Sequence, residues 1–203
     1  MRIEAILSTH VHADHRSGDR ALAEATAAPI YYHRSADLGY AFTAVDDGAE
    51  ISLGNVVIRA MHTPGHTPES TSYLVTDQTR ATEPWMVFTG DTLFVGDVGR
   101  PDLGGHDAAN DLFTSLHEKL LALPDYVEVY PAHISGSPCG RAMSGKPSST
   151  IGFERRHNEA LRETDREAFV RGISQFSFPQ PTDFIETVRW NRGKGGAFDT
   201  TSE

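Results

Sequence analysis

The stretch STHVHADH, at positions 8–15, constrains the fold and the chemistry of this chain more than any other feature. It holds three histidines and one aspartate within six residues, directly after a predicted buried strand over 3–9. Successive side chains of an extended segment point to opposite sides, so His10 and His12 can face one point. Asp14 and His15 follow in the turn and can reach the same point. A lone histidine is most often structural, but this density of ligand-type side chains predicts a metal site.

Three further segments have the same form, a predicted strand that runs into a polar loop. They bring the candidate ligands His66, Asp91 and His133 to the ends of strands. A small residue lies beside each candidate, which lets the backbone approach a metal ion closely. Histidine and aspartate without a thiolate form a ligand set that suits zinc, iron or manganese. The sequence therefore predicts that four separate loops converge on one metal-binding site.

Composition limits the classes of protein and of partner. A chain of 203 residues that is 38% hydrophobic and 23% charged fits one globular domain, here taken as 1–203. The net charge of −10 disfavours nucleic acid or an anionic membrane as the main partner. Cys139 is the only cysteine, which excludes an internal disulfide and fits a reducing cytoplasm. No apolar signal core or membrane span is evident, so we predict a cytoplasmic protein.

Short strand patterns come in series along the chain, and helix patterns follow them. This order favours an α/β sandwich over a doubly wound parallel sheet. Residues 90–106 are predicted to form a long loop, and 191–203 a flexible tail. Strands are predicted over 3–9, 30–32, 51–53, 56–60, 71–76, 85–89 and 126–130, and helices over 18–27, 108–122, 150–162 and 165–173.

The motifs HVHADH, TPGHT, TGDT and PAH resemble the metallo-β-lactamase superfamily in their order and spacing. The resemblance covers nearly the whole chain and implies that superfamily's αββα sandwich. Members normally carry another strand-rich segment before the first motif, whereas this chain starts one strand before it. We therefore expect a sandwich that lacks the N-terminal strand segment, whose exposed sheet a second copy of the chain could cover.

The fold hosts hydrolases, nucleases, oxidoreductases and dioxygenases, so it does not fix the reaction. At face value the motifs predict a two-metal thioester hydrolase similar to glyoxalase II, in which a bridging hydroxide attacks the substrate. Two Zn(II) ions would then be held by His10, His12, Asp14, His15, His66, Asp91 and His133. A third hypothesis is a non-catalytic fragment or assembly module.

The sequence around the motifs favours a different chemistry. The stretches FTGDTLFVGDVGRPDL (88–103), SLHEKLLALP (115–124) and VYPAH (129–133) resemble the persulfide dioxygenases. SGSPCGRAMS (135–144) is similar to the bacterial subgroup often fused to a rhodanese domain.

The persulfide dioxygenase resemblance implies one Fe(II) per chain, held by His10, His66 and Asp91 with three coordination positions open. The implied reaction oxidises a thiol persulfide with O₂ to sulfite and thiol. Ile134 and Ser135 stand where glutathione-using relatives place tyrosine or histidine. An unspecified low-molecular-weight persulfide is therefore the expected substrate.

Six more residues are candidates for catalytic roles. Four of them would orient the ligands and position water or protons in the one-iron interpretation. A weak second metal site is an open alternative for these four residues, which are His12, Asp14, His15 and His133. Arg100 is expected to hold its loop or a substrate carboxylate, or else to form a salt bridge with Asp97 or Asp102. Cys139 is expected near the cavity mouth, where it could carry sulfane sulfur if Arg141 stabilises its thiolate. A single cysteine is more often inert.

Overall fold

A computed structural model describes residues 2–104, 107–137, 139–175 and 183–195 of the chain. These residues form two β-sheets that lie face to face. Sheet 1 is parallel and contains, in spatial order, β1 (Ile6–Leu7), β2 (Ile30–His33) and β3 (Thr43–Val45). Sheet 2 is mixed and contains, in spatial order, β4 (Glu50–Leu53), β5 (Val56–His62), β6 (Thr71–Asp77), β7 (Met86–Gly90), β8 (Glu128–Pro131) and β9 (Ser149–Thr150).

Helices cover the outer faces of both sheets. On sheet 1, Ala23 of α1 (Asp19–Thr26) and Val188 of α5 (Phe184–Asn191) pack against the cluster of Ile6, Ile30 and Tyr32. On sheet 2 lie α2 (Ala108–Phe113), α3 (Ile151–His157) and α4 (Arg166–Ser174). The described residues are thus arranged in the four layers of an αββα sandwich, which confirms the predicted fold class.

The core consists of apolar side chains that alternate along the strands. Between the sheets, Val45 of sheet 1 packs with Ile58, Ala60 and Tyr73 of sheet 2. On the helical side, Val87 and Val129 are fully buried beneath Leu112, Leu116 and Leu120. Burying a side chain of this size stabilises a fold by about 1.5–3 kcal/mol. The period-2 and period-3.6 patterns of the sequence therefore fix which faces meet.

Several element boundaries differ from the sequence predictions. The strand predicted over 3–9 is reduced to β1, because residues 2–4 are exposed and only two residues pair with β2. The helix predicted over 108–122 becomes α2, then a π-helical turn (Thr114–Lys119) and a 3₁₀ turn (Leu120–Ala122). Three elements were not predicted, namely β3, β9 and α5. The first two are short, and α5 follows a segment whose composition indicates a loop.

The connections between strands bring the candidate ligands to one edge of the sandwich. The β4–β5 hairpin predicted at 51–60 is present, and its last strand leads into the loop with His66. Strands β7 and β8 are parallel neighbours, so their carboxyl ends, with Asp91 and His133 just beyond them, lie side by side. The loop predicted over 90–106 leaves β7 at the same edge; residues 105 and 106 lie outside the described part. The tail predicted over 191–203 also lies outside it from residue 196 onward.

Candidate metal site

The first histidine motif is tied to sheet 2 by two hydrogen bonds. The carbonyl of Thr9 accepts the Thr71 N–H at 2.8 Å, and the Val11 N–H donates to Oε1 of Glu69 at 2.9 Å. The carboxyl of Glu69 is buried, as is the imidazole of His10 between these two anchors. The short strand β1 alone would not fix this loop, but the start of β6 holds it against the neighbouring sheet.

The imidazoles of His10 and His66 and the carboxylate of Asp91 form a compact buried group. Each residue is 1% exposed, and their ligand atoms lie within 4.8 Å of one another. Oδ2 of Asp91 lies 3.7 Å from Nε2 of His10 and 3.5 Å from Nε2 of His66. Among the described residues this oxygen has no hydrogen-bond partner, which is costly for a buried carboxylate unless a cation lies beside it. The donor set and its orphaned oxygen fit a metal ion.

Hydrogen bonds at the far ring nitrogens fix how the two histidines face Asp91. Nδ1 of His66 donates to the carbonyl oxygen of Arg100 at 3.0 Å, so Nε2 is the free, ligand-type nitrogen. Nδ1 of His10 is 2.9 Å from Oγ1 of Thr9. Such partners set the tautomer and ring angle of metal-binding histidines. Both rings therefore present Nε2 to the same carboxylate oxygen.

The electrostatics of this buried group favour neutral histidine and ionised aspartate. Burial lowers the pKa of His10 well below 6.5, although Asp91 opposes the shift. Burial alone would raise the pKa of Asp91, but His10 and His133 lower it below the usual range. Neutral imidazole and carboxylate are the protonation states that bind metal ions. Metal binding near neutral pH would therefore release few protons from these side chains.

A second group lies outward of the first and is partly exposed. It contains His12, Asp14 and His15, whose ligand atoms also lie within 4.8 Å of one another. Burial lowers the pKa of His12 to about 4, and its Nδ1 has no hydrogen-bond partner within the described ranges. His12 thus belongs to a different group of ligand atoms from His10, although the centres of the two rings lie only 4.3 Å apart. This outer group has the chemistry of a weaker cation site or of a proton-handling group.

His133 joins the inner and the outer groups. Its Nδ1 lies 2.8 Å from Oδ1 of Asp91, and its Nε2 lies 2.9 Å from Oδ2 of Asp14. Burial opposes the charged ring, but these two carboxylates raise the pKa of His133 to about 10. Burial likewise opposes ionisation of Asp14, and the hydrogen bond from His133 lowers its pKa. His133 therefore carries a proton at Nε2, directed toward the open side of the site.

Arg100 lies at the inner wall of the site and is only 3% exposed. Its guanidinium donates to both carboxylate oxygens of Asp102, at 2.7 and 2.5 Å. The sequence offers Asp97 and Asp102 as salt-bridge partners of Arg100, and these two hydrogen bonds are made to Asp102. The same residue offers its carbonyl oxygen to His66. Arg100 thus connects a half-buried ion pair to the orientation of a candidate ligand.

Cys139 lies beside the outer side of the site. Its Sγ is within 4.8 Å of ligand atoms of Asp14 and His133, and the residue is buried. Burial, with the charge of Asp91, raises the pKa of the Cys139 thiol. This raised pKa does not fit the thiolate that Arg141 is expected to stabilise; the Arg141 guanidinium donates to Asp97 at 3.2 Å. In the absence of a bound cation, Cys139 offers a neutral thiol.

The structure brings all nine candidate residues to one edge of the sandwich. Sequence reasoning missed two buried residues that support them, Glu69 and Asn191. Glu69 stands three positions after His66 and holds the His10 loop, while Asn191 contacts the first motif from the opposite end of the chain. Neither has a spacing that a metal motif would indicate, so no local signal identifies them.

Comparison with known proteins places this architecture in a family. The metallo-beta-lactamase superfamily domain matches residues 1–133. A probable metallo-hydrolase of Burkholderia pseudomallei is 37% identical over 96% of the chain and 73% of that protein. The mitochondrial persulfide dioxygenase ETHE1 of Bos taurus is 30% identical over 89% of the chain and 65% of that protein. The crystal structure of ETHE1 from Myxococcus xanthus is 33% identical, with a TM-score of 0.82 over 97% of the chain and 79% of that structure.

These matches confirm the resemblance to the superfamily and to its persulfide dioxygenase branch. The chain spans less than two thirds of the bovine relative's length and about three quarters of the Burkholderia relative's. Among the described residues, no helix is both long enough and apolar enough to cross a lipid bilayer.

Proposed function

Because the chain belongs to the metallo-β-lactamase superfamily, we propose that its buried metal-binding group serves an Fe(II)-dependent persulfide dioxygenase. The substrate would be a low-molecular-weight thiol persulfide, and one iron would bind per chain. The proposal combines the ligand geometry of this chain with its similarity to proteins named persulfide dioxygenase. The ligand geometry and the sequence similarity are independent grounds for the proposal.

The observation that carries the proposal is the composition of the inner group. His10, His66 and Asp91 are two imidazoles and one carboxylate whose ligand atoms lie within 4.8 Å of one another, whereas His12, Asp14 and His15 form a second such group. The inner group has the ligand set of non-haem Fe(II) oxygenases, which leaves coordination positions open for substrate and oxygen.

The proposed reaction balances without any further oxidant. The persulfide R–S–SH, O₂ and H₂O give R–SH, sulfite and two protons. The outer sulfur is oxidised, O₂ is reduced, and the S–S bond breaks when water supplies the third oxygen of sulfite. A bound Fe(II) ion would supply a site for the persulfide sulfur and for O₂, together with the electron transfer between them.

The chain's own residues would handle the protons. His133 holds a proton at Nε2 against Asp14, on the exposed side of the inner group. This pair is placed to protonate the thiol sulfur that leaves, or to accept a proton from the attacking water. His12 stays neutral because burial lowers its pKa to about 4, so it can accept a hydrogen bond from water. His15, the most exposed of these histidines, lies 3.0 Å from Asp14 and keeps that carboxylate oriented.

Two further residues would act on the substrate or its surroundings. Cys139, as a neutral thiol beside Asp14 and His133, would contact the persulfide where it enters. Arg100 would orient His66 through its carbonyl while its guanidinium is held by Asp102. Its burial makes a direct contact with a substrate carboxylate the weaker of its expected roles.

We also propose a cytoplasmic location, because the one cysteine of the sequence stands as a free thiol.

Metal content and oxygen uptake test the proposal together. Protein purified without added zinc and loaded anaerobically with Fe(II) should hold one iron per chain. It should then consume O₂ with cysteine persulfide or glutathione persulfide, and release one sulfite per O₂. The parent thiols alone serve as the control and should give no uptake. Iron-loaded protein that consumes no oxygen with either persulfide would overturn the proposal.

One observation favours a second candidate, a two-metal thioester hydrolase. Nδ1 of His12 is buried and has no hydrogen-bond partner among the described residues, as expected of a ligand to another cation. The Burkholderia relative carries the name of a probable metallo-hydrolase. Two Zn(II) ions would use both groups together with His133. This alternative requires two metals per chain and thioester cleavage that proceeds without oxygen, so the same samples distinguish it.

A further inference from the structure

The side chain of Asn191 is hydrogen bonded to three main-chain groups of the segment 12–17. Its Nδ2 donates to the carbonyl oxygens of His12 and His15, each at 2.8 Å. Its Oδ1 accepts the N–H of Ser17, also at 2.8 Å. Asn191 is the last residue of α5 and is only 2% exposed. One amide thus serves two acceptors and one donor of a segment that contains His12, Asp14 and His15.

Only an amide fits this place. A carboxylate has no N–H to offer to two carbonyl oxygens, and an apolar side chain would leave three backbone groups of the segment without this partner. The amide is itself well held. Arg20 of α1 donates to the carbonyl oxygen of Trp190 at 3.0 Å, and Val188 packs against the cluster beneath sheet 1. Helix α5 is therefore fixed on the opposite side of the segment from sheet 2.

The anchors of the two metal-binding groups are different. The His10 loop is tied to sheet 2 through Thr71 and Glu69, whereas the segment 12–17 is tied to α5 through Asn191. The position of Asp14 in that segment decides whether it reaches Nε2 of His133, whose other nitrogen bonds the ligand Asp91. A displacement of the segment would thus reach the inner carboxylate through His133.

We propose that Asn191 is a positioning residue of the metal site, which holds the segment 12–17 in the conformation that brings Asp14 to His133. Hydrogen-bond partners that lie behind metal ligands typically change metal affinity by about 10–100-fold when removed. Asn191 acts from one step further away. The inference holds for one metal or for two, and it does not depend on the reaction catalysed.

The test compares two buried asparagines in the full chain. Asn191→Ala should weaken Co(II) binding, measured by competition with a chelator, roughly tenfold. It should also shift the visible bands of bound Co(II), because Asp91 loses its fixed partner. Asn158→Ala is the matched control: Asn158 is 1% exposed and also makes three hydrogen bonds, to Asp97, Glu154 and Ala160. It should lower the melting temperature but leave the Co(II) affinity and bands unchanged.

Unchanged Co(II) affinity and bands in folded Asn191→Ala protein would overturn the inference, and so would equal shifts in both variants. A second measurement needs no variant and covers the case in which Asn191→Ala does not fold. In the unaltered protein, the Ser17 amide should exchange its hydrogen as slowly as the amides of α5. If it exchanges at the rate of an unprotected loop amide, Asn191 does not hold the segment and the inference fails.

Discussion

At the scale of single residues, the site is organised by carboxylate oxygens that serve different partners. Oδ2 of Asp91 faces Nε2 of both His10 and His66, while Oδ1 bonds His133. One carboxylate thus has an inner oxygen directed at a cation and an outer oxygen that orients a proton-carrying ring. This division explains why the residue is almost fully buried and still ionised.

Replacing Asp91 tests the inner group directly. Asp91→Asn keeps the shape of the side chain but removes the charge, so the protein should lose essentially all of its bound iron or zinc. Metal per chain, measured by mass spectrometry after gel filtration, checks this. Asp77→Asn is the control, because Asp77 lies at the end of β6 and outside the metal-binding groups. Full metal content in Asp91→Asn protein would remove Asp91 from the ligand set.

The candidate metal ligands could be predicted from the sequence more readily than the residues that hold those ligands in place. His10, His66, Asp91 and His133 each follow a strand pattern, so convergence at one sheet edge follows from local signals. The division into an inner and an outer group does not, because His10 and His12 are equivalent in the sequence pattern. The polar surroundings of Asn191 predict a tail, and only the tertiary structure brings this residue to the first motif.

At the scale of elements, helix α2 lies directly over the loop that carries His66. Gly65 has a φ of +136°, and a Cβ there would lie 2.5 Å from Cα of Leu112. The hydroxyl of Ser115 also donates to the carbonyl of Pro64 at 2.7 Å. The motif TPGH therefore needs its glycine for the approach of a helix as well as for the turn.

Gly65→Ala should therefore disturb both packing and metal binding. Overpacking of this kind costs about 1–3 kcal/mol, and the forced positive φ adds to it. Urea unfolding of the metal-free protein would measure the loss, and chelator competition the weaker metal affinity. Gly172→Ala in α4 is the control, because a Cβ there meets nothing within 4 Å. That variant should be as stable as the unaltered protein or slightly more so. Equal stability of both variants would contradict the close packing of α2.

A pair of stacked histidines joins the two sheets near this loop. The rings of His33, at the end of β2, and His62, at the end of β5, lie 3.7 Å apart and 4° from parallel. Burial, then the neighbouring His62, lowers the pKa of His33 to about 4, although Asp46 and Asp47 oppose this. The other charged groups near the pair are Arg34, which lowers the pKa slightly, and Lys119, which donates to Asp47 and to the carbonyl of His62.

This pair gives the protein a defined loss of stability in acid. The pKa of His33 is lower in the folded state than its ordinary 6.5, so the unfolded state binds more protons. The stability due to neutral His33 is complete above about pH 6.5 and is lost as the pH falls toward about 4. His33→Phe keeps a ring in the stack and should show a shallower decline of the free energy of unfolding between pH 7 and 5. Parallel declines in the two proteins would contradict the role of His33.

At the scale of the whole molecule, sheet 1 is smaller than sheet 2, with three strands against six in the part of the chain that the structure describes. Beside β1, which pairs only with β2 among the described strands, lies a hollow of about 330 Å³ lined by Leu7, Phe88 and Tyr130 among others. Phe88 is 43% exposed and its ring lies 5.6 Å from that of Tyr130. An open strand edge next to an apolar hollow favours association.

We propose that a second copy of the chain covers this hollow. Light scattering during gel filtration should then show a dimer or larger assembly whose share rises with protein concentration. Phe88→Glu should shift the distribution toward monomer. Leu22→Glu, at an exposed position on α1 that does not line the hollow, should leave the distribution unchanged. A monomer at all concentrations, before any substitution, would end this proposal.

The hydrogen bonds of Asn191 to His12, His15 and Ser17 join positions that are 174 to 179 residues apart. During synthesis, the histidine-rich segment leaves the ribosome among the earliest parts of this sequence, and its amide partner emerges near the end. Until then the nascent chain exposes several imidazoles and a carboxylate without the scaffold that selects their geometry. If Asn191 positions this segment as proposed, we expect the segment to reach its final geometry only after translation has passed residue 191.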